Sequence, residues 1–299
     1  MAYLQDSTGI HHLESGVYAQ RVEGKALVGR RQTLVTTKSY LRAHDLHWTG
    51  TQLLIATVEG PTGTPQPELG HAPVLRVHRF DASLTPLGAV ITLAEVDTAT
   101  PLRLVPHVRV RGDDQRLGVL SLGWREGTQE TRVALAVIEG NEVIAVDSEV
   151  VSLEPSQPNI ALAYSGEHFL RCSTTPATCQ LIDAASARPL GRPIAFFSPL
   201  LQKPHDVLWL NNRFWVAAMT TTGNPMQRVL GWNESSGEHG LQVLLSREGG
   251  PTVFGYFIRY SLHNAGINTL IWMDHLDNYN LVDSSTNPGV LLRLTPHCP

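Results

Sequence analysis

The amino-acid sequence predicts an all-β protein of the β-propeller class, with five blades of four antiparallel strands and six blades as the alternative. A short strand, a tight polar turn and a second apolar strand recur five times, starting near residues 44, 107, 159, 205 and 260. No segment keeps a 3.6-residue apolar period, so almost no helix is expected. A repeat of this length with four strands is the pattern of a propeller blade.

Two further strand-like segments follow the hairpin in at least three copies. Turns rich in Gly, Asn, Asp and Pro separate them, as the backbone geometry of tight turns requires. The predicted strands are 74–80 and 87–93 in the first copy, 133–138 and 142–152 in the second, and 180–183 and 193–197 in the third.

The two ends of the chain each read as part of a blade. Residues 1–40 resemble the second half of a repeat, and the last copy stops soon after residue 294. Pairing of the first and last strands in one composite blade would remove open sheet edges, which otherwise promote aggregation. We therefore expect residues 1–299 to form a single propeller domain, and we expect a monomer.

Composition narrows the classes of partner. Hydrophobic residues make up 42% of the chain and charged residues 17%, enough apolar material for a sizeable core and too little charge for disorder. The net charge of −4 and the lack of a Lys/Arg cluster argue against nucleic acid. No apolar run reaches the 18 residues that a membrane span needs. The expected partner is a small molecule or a carbohydrate.

The cysteines bear on the compartment. Cys172 and Cys179 flank a predicted hairpin turn and can face each other across two strands, either as a disulfide or as two reduced thiols. A disulfide would favour an oxidising compartment. The N-terminus lacks the basic and apolar regions of a signal peptide. The protein is therefore expected to be secreted or periplasmic, or cytoplasmic if Met1 is native.

Several short motifs resemble the degenerate repeats of secreted or surface proteins from myxobacteria and related bacteria. They are Val-Tyr-Ala-Gln-Arg-Val from Val17, Ala-Leu-Val-Gly from Ala26, and Pro-Asn-Ile-Ala-Leu-Ala-Tyr-Ser-Gly-Glu-His-Phe-Leu from Pro158. This resemblance implies a propeller-like fold and an extracytoplasmic setting, and it brings no catalytic residues. The sequence departs from the pattern where His follows Pro in two copies.

Histidine stands at the first position of three copies, at His44, His107 and His205. In a propeller, equivalent positions at the start of successive innermost strands form a ring at one mouth of the channel. Three neutral imidazoles with an open position suit a divalent transition metal such as Zn, Fe or Cu. The alternative is a ring of polar residues hydrogen-bonded in a wet channel.

Two carboxylates, Asp45 and Asp206, each follow one of these histidines. They are candidate catalytic groups, because glycoside hydrolysis needs two carboxylates at one site. They could equally orient an imidazole or satisfy backbone groups between blades. Strand alternation, which points each Asp away from its neighbouring His, favours the backbone role.

Four more residues are candidate ligand-binding positions: Asn159, Tyr260, His263 and His71. Asn159 and Tyr260 occupy the first repeat position in their copies, and His263 lies near it in the fifth copy. His71 lies in a Pro/Gly-rich segment, 59–72, long enough to cover a channel mouth.

Three functions follow from these candidates. The first is a binding protein with a ligand at the channel mouth. The second is a metal-dependent oxygenase or hydrolase that uses the three histidines, and the third is a glycoside hydrolase or lyase that uses the two carboxylates. The sequence lacks the common motifs for nucleophilic serine, phosphate loops or zinc proteases, which leaves the binding protein as the leading prediction.

Overall fold

The computed structural model shows an all-β protein. It describes residues 2–5, 15–23, 26–37, 40–60, 74–93, 102–125, 130–151, 160–174, 177–195, 203–210, 212–219, 226–233, 239–246, 257–264, 270–277 and 291–294. These residues form strands, turns and bends. None of them belongs to a helix long and apolar enough to cross a membrane.

Contacts divide the chain into two compact units, and the first consists of 1–151 with 185–187. Its strands form three antiparallel sheets in which consecutive strands pair. Sheet I contains β1 (Ala2–Gln5), β2 (Ser15–Glu23) and β3 (Ala26–Thr37). Sheet II contains β4 (Tyr40–Trp48), β5 (Leu53–Gly60), β6 (Val74–Phe80) and β7 (Ile91–Leu93). Sheet III contains β8 (Leu102–Gly112), β9 (Arg116–Arg125), β10 (Glu130–Glu139) and β11 (Glu142–Val151).

The second unit, 152–184 with 188–299, contains three more sheets of the same kind. Sheet IV contains β12 (Ile160–Tyr164), β13 (His168–Thr174), β14 (Ala177–Asp183) and β15 (Pro189–Ala195). Sheet V contains β16 (Lys203–Leu210), β17 (Arg213–Met219), β18 (Met226–Asn233) and β19 (His239–Ser246). Sheet VI contains β20 (Phe257–Asn264), β21 (Leu270–Asp277) and β22 (Leu291–Leu294).

This succession of antiparallel sheets, four of four strands and two of three among the described residues, confirms the predicted fold class, a β-propeller. Four of the five predicted repeat starts lie on the first strand of a sheet, and the fifth, Asn159, lies outside the described residues just before β12. β1 pairs with β2, and β22 pairs with β21. Closure by pairing of the first and last strands, and a single domain over 1–299, stay predictions.

One predicted strand is shorter than expected. The fourth strand of sheet II was predicted over 87–93, but β7 begins at Ile91. Pro86 has no N–H for a ladder, and Gly88 adopts a left-handed φ of 71°. In the turn before Pro86, the Asp81 carboxylate accepts hydrogen bonds from the Ser83 and Thr85 backbone N–H groups at 2.8 and 2.9 Å. The chain therefore turns for longer before it re-enters the sheet.

The core of the first unit depends on the two faces of β5. Leu54, Ala56 and Val58 point to one face and pack in a cluster with apolar residues of β8 and β9. Ile55 points to the other face and packs with residues of sheet I. Burial of each such Val, Leu or Ile side chain contributes about 1.5–3 kcal/mol. β5 is thus buried on both faces, which explains the four consecutive apolar residues at its start, 53–56.

The core of the second unit contains a disulfide. Cys172 on β13 and Cys179 on β14 are direct partners in the strand pair and are joined by a disulfide bond. Both are fully buried and pack with Phe214 and Val216 of β17. Of the two alternatives left open by the sequence, the structure has the disulfide.

Candidate functional site on strands β4 and β8

The first hairpins of sheets II and III have the same geometry, which sets the equivalent positions of their strands. Each closes with a backbone hydrogen bond of 2.9 Å, from Thr49 N–H to the Gln52 carbonyl and from Asp113 N–H to the Arg116 carbonyl. Counted back from these turns, Asp45 is the equivalent of Arg109, which follows from their partners on β5 and β9.

The same count places the candidate histidines. His44 pairs with Thr57, and the equivalent residue of β8, paired with Ser121, is Val108. His107 comes one residue earlier, within a register irregularity between Val105 and Val108. This bulge is the reason why the sequence alignment placed His107 opposite His44.

The third histidine of the predicted ring lies in the second unit. His205 is on β16, where the pairing register shifts between Pro204 and Asp206. Its side chain lies outside the described part of the structure. Among the described residues, no group of three His, Cys, Asp or Glu could hold a metal ion. The three-histidine metal site, with Zn, Fe or Cu, stays a prediction.

Asp45 links β4 to β8. Its Oδ2 accepts a hydrogen bond from the Val110 backbone N–H at 2.8 Å and another from Arg111 Nη1 at 2.6 Å. Burial alone would raise the pKa of Asp45, but the charges of Arg111 and Arg109 and these hydrogen bonds outweigh it and lower the pKa below its usual value. The carboxylate is therefore a fixed anion that satisfies a backbone donor of the neighbouring strand.

Arg109 and His44 lie beside this pair with fewer partners. Arg109 Nη1 donates to the Val108 carbonyl at 3.1 Å, and the guanidinium makes no ion pair among the described residues. His44 is half-buried and forms no hydrogen bond with the described residues. Burial lowers the pKa of His44, and Arg109 lowers it further against the opposing effect of Asp45. The imidazole is therefore neutral at pH 7.

His47 completes the group and is fixed in orientation. Its Nε2 lies 2.8 Å from the Gly112 carbonyl, which can only accept, so Nε2 carries the proton. Burial and Arg111 lower the pKa of His47. The hairpin itself requires Gly112, because a Cβ there would lie 2.2 Å from the Arg116 carbonyl oxygen. We call His44, Asp45, His47, Arg109 and Arg111 the β4–β8 cluster.

Asp206 has a different environment from Asp45. It is buried, and its Oδ1 accepts the backbone N–H of Val207 at 2.9 Å. It also makes further interactions within the structure. Asp206 pairs with Ala217 as Asp45 pairs with Ala56, so the two carboxylates hold equivalent positions in their sheets, as the sequence predicts. Their catalytic role stays a prediction.

The remaining candidates are only partly placed. Tyr260 and His263 lie on β20, with side chains outside the described part of the structure. Asn159 and His71 lie outside the described residues altogether. Their predicted ligand contacts stay predictions.

A second polar group was not predicted from the sequence. Glu59, on β5, is only 4% exposed. Its carboxylate accepts hydrogen bonds from Thr37 at 3.0 Å and from Thr57 at 3.2 Å, and it forms an ion pair with Arg76. His78 Nε2 lies 3.3 Å from the Thr57 hydroxyl. We call these residues the Glu59 cluster; the only signal in the sequence is one acidic residue closing an apolar run.

Comparisons with known proteins found distant structural similarity only. No family model matches the chain, and no curated protein matches its sequence. A GH43 endo-arabinanase from Bacillus licheniformis has 11% identity and a TM-score of 0.41, over 84% of this chain and 92% of that one. A GH43 β-1,3-galactosidase solved with galactodeoxynojirimycin has 11% identity and a TM-score of 0.48, over 77% and 84%.

Prolyl oligopeptidase B from Galerina marginata is similar over 98% of this chain, which spans only 38% of that protein, with 12% identity and a TM-score of 0.48. Two different classes of enzyme thus match at the same level. Similarity this distant carries no conclusion about activity.

Proposed function

We propose that the protein is a ligand-binding β-propeller that holds a small polar molecule or a carbohydrate on the β4–β8 cluster. One observation carries the proposal. On strands whose buried neighbours are apolar, Arg109 is close enough for its charge to lower the pKa of His44, and both residues keep donor or acceptor groups that the described residues leave unused. Binding sites combine an apolar surround with a few convergent polar groups of this kind.

The exposed aromatic residue on the same strand supports a carbohydrate. Trp48 is 49% exposed and lies four residues after His44 on β4. At about 3.3 Å per residue the two positions are roughly 13 Å apart, a span that a short oligosaccharide can cover. An exposed indole offers a flat apolar face with a polar edge, which suits the mixed surface of a sugar ring.

Screening the purified protein against a panel of mono- and oligosaccharides, by thermal shift and then calorimetry, tests the proposal. A ligand that binds should lose at least about tenfold in affinity in Arg109→Ala and His44→Ala, the loss of one or two hydrogen bonds. Arg116→Ala is the matched control, because Arg116 pairs with exposed Glu139 away from the cluster. Unchanged affinity in both cluster variants, or no binding at all, would overturn the proposal.

A second candidate is glycoside hydrolysis by Asp45 and Asp206. The equivalent positions of these residues on β4 and β16 favour it, and the hydrogen bonds of Asp45 to Val110 and Arg111 argue against a role as proton donor. Incubation with aryl arabinosides and galactosides, wild type against Asp45→Asn and Asp206→Asn, decides between the two. Hydrolysis by the wild-type protein that disappears in both variants would favour glycoside hydrolysis over simple ligand binding.

We further propose an extracytoplasmic location. The buried disulfide between Cys172 and Cys179 supports it, because such bonds persist in oxidising compartments. Fractionation of the native host, with immunodetection in the cytoplasm, the periplasm and the medium, tests this proposal. Recovery in the cytoplasm alone would contradict it.

A further inference from the structure

The two guanidinium groups of the β4–β8 cluster differ in their ion pairs. Arg111 pairs with the Asp45 carboxylate, and Arg109 forms no ion pair with the described residues. The β8–β9 hairpin carries two further acids, Asp113 and Asp114, and Asp113 Oδ1 accepts hydrogen bonds from the Gln115 and Arg116 backbone N–H groups, each at 2.8 Å. Asp114 is already engaged by the hydroxyl groups of Thr49 and Thr51.

The two arginines have different tasks. Arg111 donates to Asp45 and to the Val110 carbonyl, each at 2.6 Å, so its guanidinium closes the contact between the strands. Within the described part of the chain, Arg109 has one hydrogen bond, to the carbonyl of its own neighbour Val108. A guanidinium carries five N–H donors, so most donors of Arg109 remain for another partner.

We infer that the β4–β8 cluster selects ligands that carry a carboxylate group, with Arg109 as its anchor. This inference rests on the proposed function and names the ligand class. A single planar guanidinium matches a carboxylate in two parallel hydrogen bonds and balances its one negative charge. The His44 imidazole, whose pKa the charge of Arg109 lowers, supplies a further hydrogen bond to the same ligand. The class includes uronic acids and other acidic sugars.

The specificity follows from the cost of burying unpaired charge. A neutral sugar over Arg109 would offer hydroxyl acceptors in place of water but would leave the guanidinium charge without a counter-charge, which is unfavourable. A cationic ligand would be repelled by the same group. The site should therefore distinguish an acid from its neutral counterpart more strongly than it distinguishes one sugar from another.

Calorimetry with matched ligand pairs tests the inference: galacturonate against galactose, glucuronate against glucose, and inorganic phosphate as a separate anion. We expect at least one acid to bind at least tenfold more tightly than its neutral partner. Arg109→Ala should remove that preference, and Arg109→Lys should restore part of it, because lysine keeps the charge without the planar geometry. Arg116→Ala should leave it unchanged.

The outcomes separate this inference from the proposed function. Equal binding of acid and neutral sugar, lost in His44→Ala, would overturn the carboxylate class and leave the binding site standing. Binding of phosphate but of neither acid would also overturn it, in favour of a phosphate-bearing ligand. An acid preference that survives in Arg109→Ala would overturn the role of Arg109. Failure of every ligand to bind would overturn both proposals.

Discussion

Sheets II and IV share a strand order and a hairpin geometry, and yet different chemistry stabilises each. Counted from the hairpin pairs Trp48–Leu53 and Tyr164–Phe169, Ala56 and Val77 of sheet II are the equivalents of Cys172 and Cys179. Simple apolar packing in one sheet is thus replaced by a covalent bond in the other.

The other faces of sheets II and IV also differ in their polar groups. In sheet II it carries the Glu59 cluster, where an anion is held by two hydroxyl groups and a guanidinium. In sheet IV the equivalents of Ile55 and His78 are Arg171 and Gln180, both buried. The repeat therefore determines the backbone, while each sheet acquires its own stabilising groups. This freedom is what allows one pair of strands, β4 and β8, to carry a candidate site.

The largest expected effect is the loss of the Glu59 carboxylate. Glu59→Ala leaves the Arg76 guanidinium, 37% exposed, and two buried hydroxyl groups without their acceptor. Breaking a fully buried ion pair costs about 3–5 kcal/mol, and the partial exposure of Arg76 reduces the expected loss of unfolding free energy to about 2–4 kcal/mol. Urea unfolding followed by tryptophan fluorescence measures it.

Glu139→Ala is the matched control for this prediction. Glu139 is 55% exposed and pairs with Arg116 at 3.3 Å, so its loss should cost less than about 1 kcal/mol. If Glu59→Ala prevents folding, Glu59→Gln keeps the shape and an acceptor oxygen and should show a smaller loss. Equal stability of the Glu59 and Glu139 variants would show that the Glu59 cluster stabilises the fold no more than an exposed ion pair does.

The next effect concerns the disulfide of sheet IV. The bridge closes a short loop with a sequence separation of seven, and loop-closure entropy gives about 2–3 kcal/mol for a loop of this size. The double variant Cys172→Ala/Cys179→Ala should lose that amount, and reduction of the wild type should give a similar loss. Cys298→Ala, which removes the third cysteine, should keep wild-type stability. Alkylation of all three cysteines in the unreduced native chain would contradict the bridge.

These contrasts show which features of the fold and of the candidate site the sequence alone could predict. The five repeat starts and the equivalence of Asp45 with Asp206 follow from patterns of turn residues and apolar strands, which are local. The bulge before Val108 changes the pairing register without changing the residue pattern. The sequence comparison therefore treated His107, rather than Val108, as the equivalent of His44. Such irregularities depend on backbone pairing between strands.

The Glu59 cluster shows the same limit in another form. Its members come from β3, β5 and β6, and they meet only when sheets I and II pack together. Taken one at a time in the sequence, these residues look like ordinary polar positions of strands. The role of Arg109 was missed for the same reason. Its importance depends on the pairing of Asp45 with Arg111, which leaves Arg109 with a single hydrogen bond among the described residues.

The smallest expected effect is a difference between sheets II and IV in how their stability depends on pH. His78 is 12% exposed, and burial lowers its pKa together with the charge of Arg76, against the opposing charge of Glu59. A histidine whose pKa is lowered in the folded state takes up protons first in the unfolded state, from about pH 6.5 downward. Its stabilising contribution is complete above that pH and is lost as the pH falls toward the folded pKa.

Substitution of His78 by the residue of sheet IV tests this contrast. His78→Gln should reduce the stability loss between pH 7.5 and 5.5 by up to about 1.4 kcal/mol, the protonation free energy of one imidazole over that interval. The reverse substitution, Gln180→His, should add a similar loss, because Gln180 is 5% exposed and would be replaced by a buried base. Urea unfolding at both pH values measures both variants. The decrease that remains in His78→Gln should come from His44 and His47, whose pKa values are also lowered. An unchanged pH dependence in both variants would mean that these equivalent positions do not control the protonation behaviour of the two sheets.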